Sequence, residues 1–545
     1  MSSIMGFLKQ LLLYWNTIKY LRWWQVFYRL KVVSLSSNNI RSQEAQIRKP
    51  EGVWIKFKNF KHNELTNKNS INLLGVEGEV KDWNSESKSL LWTYHINYFD
   101  YSSDLLSRDE SNHVSGLIEN WVSSNTRTHE PSWDPYPISL RLVNWIKFSL
   151  NGNHLSKTAT DSIYSQANYL YRNIEYHLYG NHLFRNAKAL CFAGLFLQNK
   201  EAGLWVKKGV KILRKEIEEQ ILNDGGNFEL SPMYHSNMIE DLLDLINLHN
   251  TFPDSELLKI IESLHNAVPK SMNWLYKMSH PDGLISFFND STLKIALNPD
   301  LLETYSSLLG IKPIREKETG TTHLKESGYG IILSKNFKLI CDIGPIGPDY
   351  IPGHGHADTL SFELSILNQR VFVNSGISLY EESEKRSYQR KTRAHNTVEV
   401  NKLDSSETWK SFRVARRAYP EEVKVGINSI EASHNGYARI NTNIKHKRKW
   451  RAHESNIIIE DHVSGIFKSA WAFFHLHPEI KVIEETRSSL LLRHKDSDIA
   501  KFLIPNHEII VEDSLWYPEF GMEIPNKTLR IEFKGNKLTS QIELT

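Results

Sequence analysis

The sequence predicts an α+β protein in two unlike parts, a helical first half and an antiparallel β second half. Three observations carry that reading. Apolar residues recur at helical spacing from about Leu90 to about Leu309. A polar stretch without periodicity, Arg315 to Thr322, then breaks the pattern, and beyond it short runs alternate with the period of strands. A length of 545 residues with 40% hydrophobic content leaves room for two or three packed domains.

Residues 1–38 read as one basic, aromatic helix. Phe7, Leu11, Tyr14, Ile18 and Leu21 share a face, while Lys9, Lys19, Arg22 and Arg29 interrupt every apolar run, so no stretch is long enough to span a bilayer. Such a helix packs on its own domain or rests on an anionic membrane surface, and the first of these is the leading expectation. No secretory pattern is visible, which sets the expected location as cytoplasmic, against the inner membrane if the helix docks there. Residues 39–89 form an irregular lead-in without firm structure.

Residues 90–314 follow as the helical region. Leu140, Val143 and Ile146 mark one helix, Ala187 and Leu190 another, and Met238, Leu242 and Leu245 a third. Short loops between them predict stacked helical hairpins. From 323 to 545 the alternation of Tyr329, Ile331 and Leu333, of Phe362, Leu364 and Ile366, and of Ile457 and Ile459 predicts an antiparallel β-sandwich.

Charge narrows the function. With 66 basic and 63 acidic residues the net charge is +3, which excludes a dedicated nucleic-acid binder; an acidic ligand must be met by a local site. The 15 Trp, 22 Tyr and 23 Phe suit a carbohydrate cleft, although most of them belong to the core. Cys191 and Cys341 lie in apolar stretches and read as buried free thiols, so there is no disulfide scaffold.

Three clusters carry chemistry. In Gly180-Asn181-His182-Leu183-Phe184-Arg185-Asn186, Asn181 is placed to cap the following helix, or, with His182, to present donors to a carboxylate. In Asp224 to His235 (DGGNFELSPMYH), a glycine turn precedes a helix started by Ser231 and Pro232, which puts Tyr234 and His235 in the first turn. The positive end of that helix is expected to favour a phenolate at Tyr234. The neighbouring polar residues Asn227, Glu229 and His235 are candidate substrate contacts, as are Arg185, Tyr136 and Arg141. In Gly353-His354-Gly355-His356-Ala357-Asp358 the two histidines lie two apart and point the same way in extended chain; with His395 they supply three nitrogens, enough to suspect zinc. The turn pair His280-Pro281-Asp282-Gly283 and Phe288-Asn289-Asp290 is read as closing the cleft or capping helices.

The order GNHLFRNAKAL, DGGNFELSPMYH, HPDG with FFND, HGHADTLSFEL, VNSGISLY and RAHNTVEV resembles the heparinase II/III-like polysaccharide lyases, from about Leu91 to about Arg417. It is most similar to members found with bacterial surface-polysaccharide biosynthesis genes, whose N-terminal helix it shares. The resemblance implies an N-terminal α/α toroid, an incomplete barrel of helical hairpins, followed by a C-terminal antiparallel β-sandwich, with the active site between them. It implies catalytic roles for Asn181 and His182 on a uronate carboxylate, and for Tyr234 and His354 as the proton-transfer pair. No cofactor is required; some relatives hold a structural zinc at positions that fall here on His356, Asn374 and His395. Asn374 departs from the family's aspartate, and a neutral amide is a poorer zinc ligand.

The activity so implied is β-elimination on an acidic polysaccharide or oligosaccharide. The C5 hydrogen beside the carboxylate is removed, and the C4–oxygen bond breaks. Donors at the carboxylate stabilise the developing dianion, and Arg185 and His235 are expected to help Tyr234 ionise. A uronyl C5-epimerase would use the same groups, and a non-catalytic carbohydrate-binding protein would keep them as relics.

Overall fold

The computed structural model describes residues 2–35, 43–57, 64–65, 70–126, 131–253, 255–316 and 319–545. Two short helices come first, α1 (Ser2–Ile18) and α2 (Trp23–Leu35). The expected single helix is therefore two, broken across residues 19–22. The lead-in is not wholly irregular either. It holds a small antiparallel sheet of β1 (Glu64–Leu65), β2 (Ser70–Leu73) and β3 (Val76–Glu79), in which buried Ile71 and Leu73 anchor β2.

The helical half contains α3 (Leu90–Tyr98), α4 (Ser102–Ser107), α5 (Ser111–Ser124), α6 (Pro135–Leu150), α7 (Lys157–Arg172), α8 (Gly180–Phe196), α9 (Ala202–Gln220), α10 (Pro232–Thr251), α11 (Ser255–Lys277) and α12 (Pro299–Leu308). Neighbours pack in sequence, α8 on α9 and on α6, and α10 on α11, as the hairpins of an α/α toroid. Trp92, Trp121, Trp145 and Trp205 fill its core. The helices nearest its centre are buried almost all round. In α8 only Asn181, His182 and Arg185 are not buried, and in α10 only Tyr234 is not buried between Pro232 and Leu248. On a helix enclosed by its neighbours, such breaks mark where a cleft opens.

The β half starts earlier than the polar stretch suggests. β4 (Gly320–Leu324) already contains Thr321 and Thr322; residues 317 and 318 of that stretch lie outside the described residues. β5 (Tyr329–Leu333), β6 (Phe337–Asp342), β7 (Phe362–Ile366) and β8 (Gln369–Phe372) complete a five-stranded antiparallel sheet in sequence order. Two further antiparallel sheets, of eight and four strands, take most of the chain from Val398 to Leu544. Phe362, Leu364, Trp450, Ile459, Phe474 and Leu529 meet between the sheets as the sandwich core.

The halves meet on the other face of the five-stranded sheet. Tyr329, Ile331 and Ile340 point towards Leu230, Trp274, Met278 and Phe288 of the toroid. Both faces of β5 are thus covered, so four of its five residues are buried despite an alternating sequence. Polar ties fix the joint: Tyr329 Oη donates to Leu230 O at 2.7 Å, Trp274 Nε1 to Ser327 Oγ at 2.8 Å, and Arg370 binds Asp282. His280 lies 2.7 Å from both Glu363 and Ser365. His280 of the HPDG turn is therefore a buried pin between the halves. Cys191 and Cys341 are buried and not joined in a disulfide.

Candidate active site

Tyr234 is placed by its helix start. Ser231 is the N-cap of α10, its Oγ accepting from Tyr234 N at 3.2 Å, and Pro232 occupies the first turn. Ser231 Oγ also donates to Asp290 O at 2.7 Å, tying the cap to the Phe288-Asn289-Asp290 turn. Tyr234 Oη lies 3.1 Å from Tyr380 Oη, and its ring stacks on His354 at 3.9 Å between centroids, tilted 28°. Tyr234 is half-buried, and the desolvation of its phenol within the cleft, with Tyr380, Tyr136 and Asp290, pushes it well above its ordinary value. This overturns the expectation of a helix-favoured phenolate: the local surroundings outweigh the helix end, and Tyr234 stands as a neutral phenol.

His354 comes from the β half. The Gly353–Asp358 stretch is loop, with strand beginning only at Phe362, yet His354 and His356 do point the same way, onto one carboxylate. His354 Nδ1 is 3.0 Å from Asp290 Oδ2, and His356 Nε2 is 2.9 Å from Asp290 Oδ1. Arg386 grips the same carboxylate with both terminal nitrogens, at 2.5 and 2.8 Å. Burial alone would raise the Asp290 carboxyl, but Arg386 and the two histidines hold it well below the carboxylate range. It is an anion that orients His354 through Nδ1. The other ring nitrogen of His354 lies 3.3 Å from Glu229 Oε2.

The carboxylate clamp differs from the expectation. Asn181 is not the cap: the N-cap is Tyr179, at φ 65°, and α8 begins at Gly180. Gly180 has φ +52°, and a Cβ there would lie 2.8 Å from Glu229 Oε1. Glycine thus lets Glu229 approach the helix start, where Glu229 Oε1 accepts from Asn181 N at 3.3 Å. The backbone donor at Asn181 is therefore taken by the protein's own carboxylate. His182 stacks on Tyr136 at 4.2 Å; its Nδ1 is 3.3 Å from Glu175 Oε1, at an angle that makes no hydrogen bond. Glu229 and Tyr136 thus bridge the clamp to the proton-transfer pair, and all four catalytic candidates belong to one cluster.

The remaining substrate candidates divide. Arg185 borders the cluster, with Nε 3.0 Å from Asp241 and one terminal nitrogen donating to Tyr136 Oη at 2.6 Å. Against burial, Arg185 and Lys188 hold Asp241 down at about 2, so the Arg185 charge is committed to an internal anion. Arg141 is not a substrate contact. It is fully buried, donates to Gln166, Asn97 O and Ser132 O, and lies 3.9 Å over Trp121. Asn227 and His235 are turn braces: Asn227 N donates to His235 Nδ1 at 3.1 Å, Asn227 Oδ1 accepts from Glu229 N at 2.9 Å, and His235 Nε2 donates to Ser271 O at 2.8 Å. Burial brings His235 down to about 4, so it is neutral and gives Tyr234 no cationic help.

The zinc positions lie behind Asp290. His395 has no partner at either ring nitrogen, His356 none at Nδ1, and their rings are 5.2 Å apart. Asn374 Oδ1 accepts from Asn396 N at 3.4 Å. Burial pushes both imidazoles down, and Arg386 and Arg390 add positive charge beside His356. Two neutral imidazoles and a neutral amide beside two arginines do not fit a firmly held zinc. Among the described residues no group of three His, Cys, Asp or Glu side chains is placed to hold a metal.

Sequence reasoning missed Asp290, Tyr380 and Arg386 as site residues. Tyr380 lies in the VNSGISLY motif and Asp290 in the FFND turn, so both were flagged by position without a role. Arg386 carries no role in the sequence, and it is buried.

A helical toroid is joined to an antiparallel sandwich, with a tyrosine and a histidine contributed to one cluster from opposite halves. The family profiles "Heparinase II/III N-terminus" and "Heparinase II/III-like, C-terminal" match residues 107–316 and 316–545, and the chain belongs to the heparinase II/III-like family. It is 29% identical over 262 residues to a heparin-sulfate lyase of Bacteroides stercoris, 43% of this chain and 37% of the relative. Among solved structures, a heparinase III aligns with a TM-score of 0.66 at 16% identity, over 86% of this chain and 79% of that one. The heparan sulfate lyase HepC from Pedobacter heparinus aligns at 0.57 and 17%, over 95% and 87%. The chain spans between 37% and 60% of the length of the curated relatives it matches.

Proposed function

We propose that the protein is a polysaccharide lyase that cleaves a uronate-containing polysaccharide by β-elimination. The observation that carries this reading is the stacking of Tyr234 on His354 at 3.9 Å, one from each half of the molecule, with His354 oriented by the Asp290 anion. Acid and base stand on one side of the cleft, which suits loss of hydrogen and oxygen from the same face of the sugar.

The roles follow from protonation. Tyr234 holds its proton in the free site, so it is the acid. His354 keeps Nδ1 on Asp290, and its other nitrogen, which faces Glu229 Oε2 at 3.3 Å in the free site, serves as the base once substrate enters between them. The C5 proton passes to His354, its electron pair forms the C4–C5 double bond, the C4–oxygen bond breaks, and the Tyr234 proton goes to the leaving oxygen. Asn181 and His182 donate to the uronate carboxylate, where negative charge builds up as C5 loses its proton. Each positioned acid or base contributes roughly a hundred- to ten-thousand-fold in rate. Both groups reset by exchange with water.

The relatives' names make heparan sulfate the first polymer to test. Incubation in heavy water with formation of unsaturated uronate ends supports the reading. Deuterium at C5 without cleavage replaces it with an epimerase.

A further inference from the structure

We propose that the outer face of α1 and α2 is a docking surface for an anionic lipid bilayer. In α1, Leu8, Leu11 and Trp15 fall on one stripe; in α2, Trp23, Phe27 and Leu30 do the same. All six are exposed, Trp23 at 73%, Leu30 at 67% and Trp15 at 65%. Apolar surface so concentrated, on two consecutive short helices, marks a contact face.

The face cannot turn inward, because the opposite sides of both helices are already engaged. Tyr14 packs edge-on against Trp409 at 5.2 Å, and Trp409 Nε1 donates to Thr17 Oγ1 at 3.1 Å. Arg22 pairs with Glu219 at 2.5 Å and lies 3.6 Å over Tyr350. Gln25 Nε2 donates to Tyr350 O at 3.2 Å, and Tyr28 stacks on Tyr176 at 4.6 Å. The two helices are a fixed plate, apolar on its outer side.

Charge selects the occupant. Residues 1–43 contain Lys9, Lys19, Arg22, Arg29, Lys31 and Arg41 and no Asp or Glu. Partial burial, and then the nearby cation Arg413, lower Arg29. A second copy meeting this face about a two-fold axis would set exposed Lys19 and Arg29 against their own kind. Anionic headgroups instead neutralise them while the stripe enters the acyl boundary. Among the described residues no helix is long and apolar enough to cross a membrane, so the contact is one of lying on the surface.

The plate rests on the rim of the cleft. Tyr179 directly precedes the Gly180-Asn181 start of α8 and hydrogen-bonds Arg22, and Trp409 is three residues from Phe412, whose ring is 6.0 Å from His354. Docking sets the site beside the bilayer, suited to a polymer held there. The docking itself does not depend on the reaction.

The test is flotation of the full chain with phosphatidylcholine vesicles, with and without phosphatidylglycerol, at low and high salt. Binding to the anionic vesicles that weakens in salt is expected. A Leu11→Glu/Trp15→Glu/Phe27→Glu variant should bind at least about tenfold more weakly with an unchanged melting temperature, since each substitution removes large apolar area from the contact. A Lys19→Glu/Arg29→Glu variant should lose the preference for phosphatidylglycerol. Failure to float with anionic vesicles overturns the proposal. So does equal binding by the triple-Glu variant, or a wild-type dimer that the triple-Glu variant dissociates.

Discussion

Asp290 Oδ2 lies 3.0 Å from Nδ1 of His354, and its other oxygen lies 2.9 Å from His356, so one buried carboxylate from the helical half orients both histidines of the β half. Arg386 neutralises it. Asp290→Asn should lower kcat by roughly a hundredfold or more, because His354 loses the anion that fixes its tautomer. It should also destabilise the fold by about 3–5 kcal/mol, since Arg386 is left as an uncompensated buried charge. Steady-state kinetics beside a denaturant melt separates the two effects.

Tyr380 is predicted to act through Tyr234. Tyr380→Phe removes one hydroxyl contact, 3.1 Å from the Tyr234 oxygen, and should cost about 1 kcal/mol, or roughly fivefold in kcat. Its pH profile should shift on the limb that reports Tyr234, which a purely structural role would not do. An unshifted profile removes Tyr380 from the proton path.

Arg141 should behave as a core residue. Arg141→Lys cannot reproduce three hydrogen-bond directions and the contact over Trp121, so the melting temperature should fall while KM of the surviving folded protein stays unchanged. A raised KM with normal stability would return it to the substrate path.

Acid should destabilise the protein below the ordinary histidine range. Burial lowers His235 and His475 to about 4 from 6.5, and His235 uses its Nδ1 as an acceptor from Asn227 N. For groups depressed in the folded state, the stability is fully present above pH 6.5 and is lost as pH falls towards 4, by up to about 3 kcal/mol for each histidine. Melting temperature against pH checks this, and a flat profile between 6.5 and 4 contradicts it.

Much of the fold was legible because its signals are local. The helical period of Met238, Leu242 and Leu245, the cap formed by Ser231 and Pro232, and the alternation in Ile457 and Ile459 each depend on neighbours in sequence. What was not legible depends on the joint between halves. Arg141 reads as a substrate contact and Arg386 carries no role until Trp121 and Asp290 are brought to them. The phenolate expected at Tyr234 came from one helix end, and the burial and the hydroxyl of Tyr380 that reverse it come from elsewhere in the fold. The cap at Asn181 failed for a related reason: Glu229, 48 residues on, takes its backbone N–H.

The most direct measurement is turnover of a uronate oligosaccharide whose C4 substituent leaves without needing a proton, such as fluoride, by wild type, Tyr234→Phe and His354→Ala. If Tyr234 is the acid and His354 the base, Tyr234→Phe is inactive on the natural polymer but regains turnover on the fluoride, while His354→Ala stays inactive on both. Recovery of His354→Ala but not of Tyr234→Phe on the fluoride would reverse the two roles and contradict the account.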